Sequence, residues 1–315
     1  MYMKQENKQK EIKMKRITKT LAAILCFTLL LAFNPFSVPV FADEAGSGGE
    51  NTSGESAAAG EALAEVVFDL EKEVLDWGEG ITKVHIRFDD EIDPVSVDAK
   101  TFSVKVGNFQ RTITRIEVLG SEVVITMKST QNSPGINSPI KNYSIVQNSV
   151  VKMLDGSELS PGSVSYVHGK EYNAQTAKFT YHVSQGGMKY RMYSPPVEDG
   201  EDYAVIFWLH GYMQGGSDNE KQILENRVTY FASDEVQEKF GGMFVVAPQN
   251  PEDEKTWSWM QTDETGRSSS LPVLISLINE VMENNPIDKD RVYIGGFSAG
   301  GFMTWHTILE YPELF

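Results

Sequence analysis

The sequence predicts an α/β region with a central parallel sheet, preceded by an all-β sandwich. Between about residues 64 and 168, apolar and polar residues alternate in short runs separated by turn signals, a pattern typical of a β-sandwich. From residue 172 onward, solid apolar runs alternate with helix-period segments. Solid runs indicate strands covered on both faces, as in a parallel sheet with helices on each side.

The first 62 residues are predicted to lie outside both regions. Seven basic residues precede an apolar run at 21–33 and the small residues Val40 and Ala42. We therefore expect residues 1–42 to be a secretory signal peptide, cleaved after Ala42, and the protein to be secreted or held at the cell surface. An uncleaved anchor is the alternative, although the run is shorter than the ~20 residues of a spanning helix. Residues 43–62 are rich in Gly, Ser, Ala and Glu, which indicates a flexible linker.

Charge and cysteine content narrow the function classes. The formal net charge is −16, and loss of residues 1–42 makes it more negative, so phosphates would repel the chain and nucleic acid is not an expected partner. The single cysteine, Cys26, lies in the expected signal peptide, which leaves no disulfide in the secreted part. No cofactor or metal is implied, and no stable membrane insertion is expected after cleavage.

Residues 63–170 carry the period-two pattern. Residues 84–88 and 102–106 alternate strictly, and further runs follow at 113–118, 123–127, 143–146 and 164–167. The segment 88–93, with residues 101–104, resembles the Ig-like modules of bacterial secreted and surface proteins. That resemblance implies an Ig-like sandwich at 63–170.

Residues 171–315 carry the α/β pattern. Strands are predicted at 178–183, 189–193, 204–209, 243–247 and 292–294, and helices at 219–240, 271–283 and 301–310. Ser217 and Glu220 have capping-box spacing, which predicts that the first of these helices begins there.

The central chemical signal is Gly296-Phe297-Ser298-Ala299-Gly300, between a predicted strand and a predicted helix. A serine on so sharp a strand-to-helix turn needs small flanking residues, because bulkier ones would collide with the sheet and helix. This context predicts Ser298 as the nucleophile of a serine hydrolase. The alternative is a glycine-rich turn whose serine only caps the helix.

A second signal, Leu209-His210-Gly211-Tyr212, directly follows the predicted strand at 204–209. Acyl transfer creates a negative oxygen, and backbone N–H groups must already point at its position. We expect the N–H groups of Tyr212 and Ala299 to form this oxyanion hole. His210 and Gly211 are expected to shape the loop, since the catalytic histidine of such a triad follows the serine along the chain.

Several segments together resemble the polyhydroxybutyrate-depolymerase and feruloyl-esterase-like group of α/β-hydrolases, some of which carry an Ig-like domain in front. The matching segments are 207–211, 215–219, 246–249 with Trp257, and 296–301. The resemblance covers residues 172–315 and implies an α/β-hydrolase fold, Ser298 as nucleophile and Tyr212 and Ala299 as oxyanion donors. It also implies an ester substrate, including a polyester or a feruloylated polysaccharide. Asp218 and Asn219 would lie beside the oxyanion hole or, alternatively, only cap a helix and turn the chain.

Two tryptophans are candidate substrate-binding residues. Trp257 and Trp259 lie in a segment expected to cover the strand ends, where their rings would line an acyl or aromatic pocket. Ordinary packing beneath a long loop is the equal alternative, because tryptophan is often buried for its size alone.

No histidine in the sequence is a good candidate for the base that would complete a catalytic triad with Ser298, and no acidic partner is identified either. His306 is expected on the same helix as Ser298, about 12 Å away and beyond hydrogen-bond reach. His85, His168 and His182 fall in or beside predicted strands and are expected to be surface or packing residues without acidic partners. We therefore expect a fragment that lacks the acid and base and has little activity by itself.

The sequence thus predicts a secreted serine esterase that works through an acyl-enzyme on Ser298. Two alternatives stay open: a serine peptidase of the prolyl-oligopeptidase kind, which uses the same turn, and a non-catalytic surface or polysaccharide-binding protein in which the Ig-like region binds the ligand.

Overall fold

The structure, a computed structural model, describes residues 63–134, 142–251 and 258–315. The predicted signal peptide at 1–42, the predicted linker at 43–62 and Trp257 lie outside the described residues. Among the described residues, no helix combines the length and apolarity that crossing a membrane requires.

The described residues form strands, three α-helices and short 3₁₀ turns. The strands, in chain order, are β1 (Ala64–Leu75), β2 (Gly78–Arg87), β3 (Phe102–Val106), β4 (Phe109–Gln110), β5 (Ile113–Leu119), β6 (Glu122–Met127), β7 (Tyr143–Gln147), β8 (Val151–Lys152), β9 (Glu158–Leu159), β10 (Val164–Tyr172), β11 (Thr180–Val183), β12 (Lys189–Tyr193), β13 (Tyr203–Leu209), β14 (Met243–Gln249) and β15 (Ile287–Gly296). The helices are α1 (Asp234–Phe240), α2 (Leu271–Asn284) and α3 (Ala299–Glu310).

Strands β1–β10 build the sandwich region. One sheet has the order β10-β1-β2-β6-β5 and a second has the order β4-β3-β7. Alternate residues of the two sheets, among them Phe68, Ile86, Val104 and Ile125, are buried in one common apolar cluster. The period-two pattern therefore records which side chains face this core, and the predicted all-β Ig-like sandwich is confirmed.

The outer face of the larger sheet carries charged side chains. His85 on β2 lies between Glu71 Oε2 of β1, 2.8 Å from its Nε2, and Glu122 Oε1 of β6, 3.3 Å from its Nδ1. The expectation that His85 lacks an acidic partner is wrong, because strand pairing brings together carboxylates that are far apart in sequence. The hydrogen bond to Glu71 raises the pKa of His85; burial lowers it, but the charge of Glu122 adds to the rise.

Strands β11–β15 build the α/β region around one mixed sheet with the order β11-β12-β14-β13-β15. β13 pairs in parallel with both β14 and β15, whereas β11 and β12 form an antiparallel extension next to β14. Nearly every side chain of β13 and all those of β14 are buried. Helices α2 and α3 contribute to the apolar cluster on one face, and the 3₁₀ turns before α1 contribute to the cluster on the other. This is the layered arrangement that the solid apolar runs predict.

The predicted helix at 219–240 is wrong in most of its length. The segment instead forms 3₁₀ turns at Lys221–Ile223 and Val228–Ala232, followed by the short helix α1. The predicted Ser217–Glu220 capping box is absent from the described structure, since Asp218 accepts from the N–H groups of Glu220 and Lys221. Left-handed backbone at Asn226 and Arg227 then interrupts any continuous helix. The predicted helix at 271–283 is confirmed as α2.

Contacts join the sandwich and α/β regions. The side-chain oxygen of Gln175 accepts from the N–H of Val74 on β1, at 2.8 Å, and from the hydroxyl of Thr229, at 3.1 Å. Arg227 forms an ion pair with Asp76, with Nε 2.9 Å from the carboxylate. One glutamine thus connects the end of the first strand to the turns that cover the sheet of the α/β region.

Candidate active site

Ser298 lies between β15 and α3 in strained backbone. Its φ is 52° and its ψ is −110°, a combination that non-glycine residues seldom adopt. The residue is partly exposed, and it occupies the N-cap position of α3. Ser298 is therefore held at a helix N-terminus by the strand before it and the helix after it, where the partial positive charge of the helix favours a developing anion.

Glycines on both sides of Ser298 permit this turn. A Cβ atom on Gly296 would lie 2.6 Å from the carbonyl of Gly300, and one on Gly300 would overlap the carbonyl oxygen of Leu209. The turn also lies against the end of β13, since the N–H of Phe297 donates to Leu209 O at 3.1 Å. The spacing of the glycines thus reflects a close approach between the serine turn and the end of the central strand.

The loop after β13 meets the serine turn. Gly211 packs against the ring of Phe297, and a Cβ atom added to this glycine would lie only 2.9 Å from the ring edge. The N–H of Gly211 donates to the side-chain oxygen of Gln214 at 2.8 Å, so this amide is already used inside the loop. Tyr212, the next residue, is exposed, and Met213 has a left-handed φ of 72°. The structure therefore brings together the two segments that contain Tyr212 and Ala299.

Ala299 is the first residue of α3 and is almost completely buried. At this position a helix offers no intrahelical acceptor for the N–H group. The N–H groups of Gly300 and Phe302, in contrast, donate to Phe297 O and Ser298 O. The Ala299 amide is thus placed beside Ser298 at the positive end of the helix.

His210 is a buried, neutral residue. Its Nε2 accepts from the N–H of Asn250 at 3.1 Å, so the proton must reside on Nδ1, which donates to Gly211 O at 2.7 Å. Burial lowers the pKa of His210 to about 4, although the bond to Gly211 O acts in the opposite direction. Both ring nitrogens are occupied by backbone groups, which ties the loop after β13 to the end of β14.

Gln249, the last residue of β14, forms a second connection to this loop. Its amide oxygen accepts from the N–H of Asn219 at 2.7 Å, and its Nε2 donates to Gln214 O and to the Asp218 carboxylate. Burial raises the pKa of Asp218, but the bonds from Gln249 and the backbone N–H groups of Glu220 and Lys221 outweigh it and lower the pKa to about 2. Asp218 is therefore an ionised anchor of the loop.

The sequence did not predict the contributions of Gln214 and Asn250, and it offered Gln249 only as part of a resemblance. One signal was available, because Gln249 and Asn250 are polar residues at the carboxyl end of a buried strand. Ligand sites of α/β sheets form at that end.

Trp259 is fully buried in the apolar cluster that contains α2 and α3. Its indole N–H donates to His210 O at 3.1 Å, and its ring lies 5.1 Å from the imidazole ring. The geometry favours the packing alternative over a pocket wall, because no part of the ring faces solvent. Trp257, the other candidate, is outside the described residues.

The remaining histidines are engaged away from Ser298. His168 stacks on Phe68, and His182 stacks on Tyr190 and contacts the hydroxyl of Thr180. His306 Nε2 lies 3.5 Å from the N–H of Ser268, and its ring packs near Phe302. With His85 held by two carboxylates and His210 by two backbone groups, each of the five histidines has other partners.

Backbone strain is concentrated around this site. Five non-glycine residues among those described have a positive φ, and three of them, Met213, Asn219 and Ser298, lie in the loop after β13 or in the serine turn. Such strain costs about 1–3 kcal/mol per residue and is typical of functional sites. The mixed sheet with its covering helices and the strained serine turn together define the class: an α/β-hydrolase fold that follows an Ig-like sandwich along the chain.

Comparisons with known proteins agree with that class. Residues 68–118 match the family described as esterase Ig-like N-terminal domain, and residues 249–315 match the family described as phospholipase/carboxylesterase. The crystal structure of a thermostable esterase superimposes with a TM-score of 0.65 and 27% sequence identity. That similarity covers 79% of this chain and 74% of the other.

Two curated relatives match shorter segments. Feruloyl esterase B of Thermothelomyces thermophilus is 29% identical over 76 residues, which is 24% of this chain and 26% of that protein. Poly(3-hydroxyalkanoate) depolymerase C of Paucimonas lemoignei is 32% identical over 76 residues, 23% of this chain and 18% of the relative. The chain thus matches about a quarter or less of each. The resemblance to the depolymerase and feruloyl-esterase-like group, with an Ig-like domain in front, is confirmed.

Proposed function

We propose that this protein is a serine esterase that cleaves carboxylic esters through an acyl-enzyme on Ser298. The observation that carries the proposal is the strained backbone of Ser298, at φ 52° and ψ −110°, where β15 meets α3. A turn of this kind holds the hydroxyl at the end of the sheet rather than along the helix surface. The esterases and the depolymerase that the chain resembles support an ester substrate over a peptide.

In this proposal Ser298 Oγ attacks the ester carbonyl carbon, and the carbonyl oxygen becomes negative. The N–H groups of Ala299 and Tyr212 are proposed to hold that oxygen, because the loop after β13 lies against the serine turn. The tetrahedral intermediate then expels the alcohol and leaves an acyl group on Ser298. Water then attacks the acyl carbon, the bond from that carbon to Ser298 Oγ breaks, and the carboxylic acid leaves while the serine hydroxyl is restored.

The proton of Ser298 requires a base, and we propose that none of the five histidines provides it. Each has the other partners described above, and His210 is kept neutral and bonded to backbone at both nitrogens. We therefore propose that these 315 residues acylate slowly, since a serine hydroxyl without a base is a weak nucleophile at neutral pH.

A fluorophosphonate probe tests the nucleophile. We expect slow labelling of the 315-residue chain on the tryptic peptide 292–315, with fragment masses that place the label on Ser298. Ser298→Ala should lose the label, whereas Ser269→Ala, which changes an exposed serine, should keep it. Equal labelling of Ser298→Ala would show that Ser298 is not the nucleophile. Rapid stoichiometric labelling of the unchanged chain would show that a base does assist Ser298.

The substrate is proposed to be an ester of a bulky or polymeric acid, such as a feruloyl ester or a polyhydroxyalkanoate, because the relatives are named for these. Release of p-nitrophenol from p-nitrophenyl acetate, compared with release of p-nitroaniline from a dipeptidyl p-nitroanilide, distinguishes ester from peptide cleavage. Faster cleavage of the anilide would favour a serine peptidase.

Secretion is proposed from the basic and apolar leader at 1–42. Mass measurement of the mature protein after expression in a secreting host should give an N-terminus at Asp43. Retention of the leader would instead favour an uncleaved anchor.

A further inference from the structure

Two exposed apolar side chains lie beside Ser298, and the chemistry proposed for that serine does not use them. Met213 is 71% exposed and Phe297 is 51% exposed. Phe297 directly precedes Ser298, and its ring lies 2.9 Å from the position that a Cβ atom on Gly211 would take. Met213 follows Gly211 by two residues, so the two Cα atoms are at most about 7 Å apart. Each of the two segments that meet at the serine turn thus presents one apolar side chain to solvent.

Neither core packing nor local backbone preference explains Met213. The N–H of Gln214 donates to Gly211 O at 3.4 Å, which makes residues 211–214 a tight turn with Met213 as its third residue. Met213 has a φ of 72°, a left-handed value that favours glycine or asparagine at such a position. Burial does not offset this strain, because most of the methionine faces solvent. Strained residues of this kind are typical of sites that hold a ligand.

Phe297 is fixed in position although about half of it is exposed. Its backbone N–H donates to Leu209 O at 3.1 Å, which holds the residue against the end of β13. One edge of its ring meets Gly211, where a larger residue would collide with it. A ring that is already held in place loses little conformational freedom when a ligand covers it. Phe297 therefore offers a preformed apolar surface next to the nucleophile.

The two segments around Ser298 carry no charged side chain. Asp, Glu, Lys and Arg are absent from residues 203–217 and 292–309, although they make up 23% of the sequence. Asp218 directly follows the first segment, but its carboxylate accepts from Gln249 and from the backbone N–H groups of Glu220 and Lys221. The surface that these segments offer beside the nucleophile is therefore uncharged, and covering it with a charged group would cost free energy.

We propose that Met213 and Phe297 bind the apolar chain of the ester's acyl group while its carbonyl carbon reacts with Ser298. This inference rests on the proposed function and adds the part of the substrate that the site selects, an uncharged acyl group with a chain of several carbons. Removal of apolar surface from water stabilises such a contact roughly in proportion to the area covered, so longer acyl chains are favoured. Because the chain stays in contact during the attack, the gain enters the rate constant for acylation.

Two p-nitrophenyl esters with the same leaving group test this inference on the 315-residue chain. The growth of the acyl adduct on the tryptic peptide 292–315, with fragment masses that locate it, gives the rate for Ser298. We expect the second-order rate constant to be at least about tenfold higher for the hexanoate than for the acetate, because four more methylene groups contact the two side chains.

The outcomes separate this inference from the proposed function. Equal rate constants for the two esters, with the adduct on Ser298, would overturn the inference and leave Ser298 as the nucleophile. If neither ester forms an adduct on Ser298, the proposed function is wrong and this inference fails with it.

Met213→Gly removes the apolar side chain and suits the left-handed backbone, so it should fold at least as well as the unchanged chain. It should lower the hexanoate-to-acetate ratio of rate constants at least about threefold, because part of the apolar surface is lost. Met213→Leu is the matched control, since it keeps an apolar side chain of similar size, and it should retain the ratio.

Phe297→Ala should lower the same ratio at least about threefold. Phe109→Ala, at a phenylalanine of the sandwich region that is 58% exposed, should leave both rate constants unchanged. Met213→Gly carries the test if melting curves show that Phe297→Ala does not fold. A ratio that is unchanged in Met213→Gly or in a folded Phe297→Ala would contradict the proposal, as would an equal loss in Phe109→Ala.

Discussion

At the scale of single residues, the serine turn depends on what two neighbouring glycines contact. Gly300 lies against the carbonyl groups of Leu209 and His210, where a methyl group would overlap them. Gly301 is one residue later in α3. A Cβ atom added to Gly301 would lie 3.4 Å from the carbonyl oxygen of Gly296, which is an ordinary contact distance. Only the first glycine is required by the approach of strand and helix.

We therefore expect opposite effects from the same substitution at the two positions. Gly300→Ala should lower the free energy of unfolding by at least about 2 kcal/mol, because either β13 or α3 must move. Gly301→Ala should leave it unchanged or raise it by up to about 1 kcal/mol, since alanine favours a helix. Urea denaturation followed by tryptophan fluorescence measures both. Equal effects would mean that the close approach at Gly300 is not what holds the turn.

At the scale of elements, the loop after β13 is anchored to the end of β14 through an ionised carboxylate. Asp218 has a pKa of about 2, below its ordinary value of 3.8, so it stabilises the fold above about pH 4. This stabilisation is lost as the pH falls from about 4 to about 2, because the folded carboxylate must then be protonated. Asp218→Asn should be less stable at neutral pH and should show a flatter decline in acid.

Melting temperatures between about pH 2 and pH 7 measure this decline. Asp199→Asn, in an exposed turn, is the matched control and should follow the unchanged chain. An acid decline in Asp218→Asn as steep as that of the unchanged chain would show that the anchor does not depend on the charge.

The larger sheet of the sandwich region has the opposite pH dependence. The pKa of His85 is raised above 6.5, so the protonated imidazole stabilises the sheet fully below about pH 6.5, and this contribution is lost as the pH rises through the folded pKa. We expect the sandwich region to be less stable at about pH 8.5 than at about pH 6. His85→Gln should reduce this difference in urea denaturation. An unchanged difference in the variant would assign the pH dependence to another group.

At the scale of the whole molecule, Gln175 connects the sandwich and α/β regions by accepting from Val74 and Thr229. Gln175→Ala leaves the partly buried N–H of Val74 without its acceptor, which costs about 1–3 kcal/mol. We expect calorimetry to show one unfolding transition for the unchanged chain and two separated transitions for this variant. Gln185→Ala, at an exposed glutamine, should keep one transition. A single transition at the same temperature in Gln175→Ala would contradict the coupling.

The predictions from sequence succeeded where the structure of an element is set by residues close together in the chain. The strand at 189–193 and the helix at 271–283 were predicted closely, because their burial follows a short period that the sequence displays. The helix at 219–240 failed because Asp218 and two left-handed residues impose turns that outweigh helical propensity. The acidic partners of His85 were missed because β1 and β6 contribute them from distant parts of the chain.

The sequence by itself determined the order of the two regions, the apolar strands and the glycine spacing around Ser298, since each rests on the sterics or burial of neighbouring residues. Tertiary structure alone decided the surroundings of the site. Asn250, 40 residues from His210, donates to its ring and fixes its tautomer. Trp259, 49 residues from His210, donates to its backbone oxygen and is buried there. Arg111 likewise becomes a buried cation only when strands from separate segments meet. Hydrogen bonds between distant segments leave no periodic trace in a sequence, because they depend on where the folded strands end.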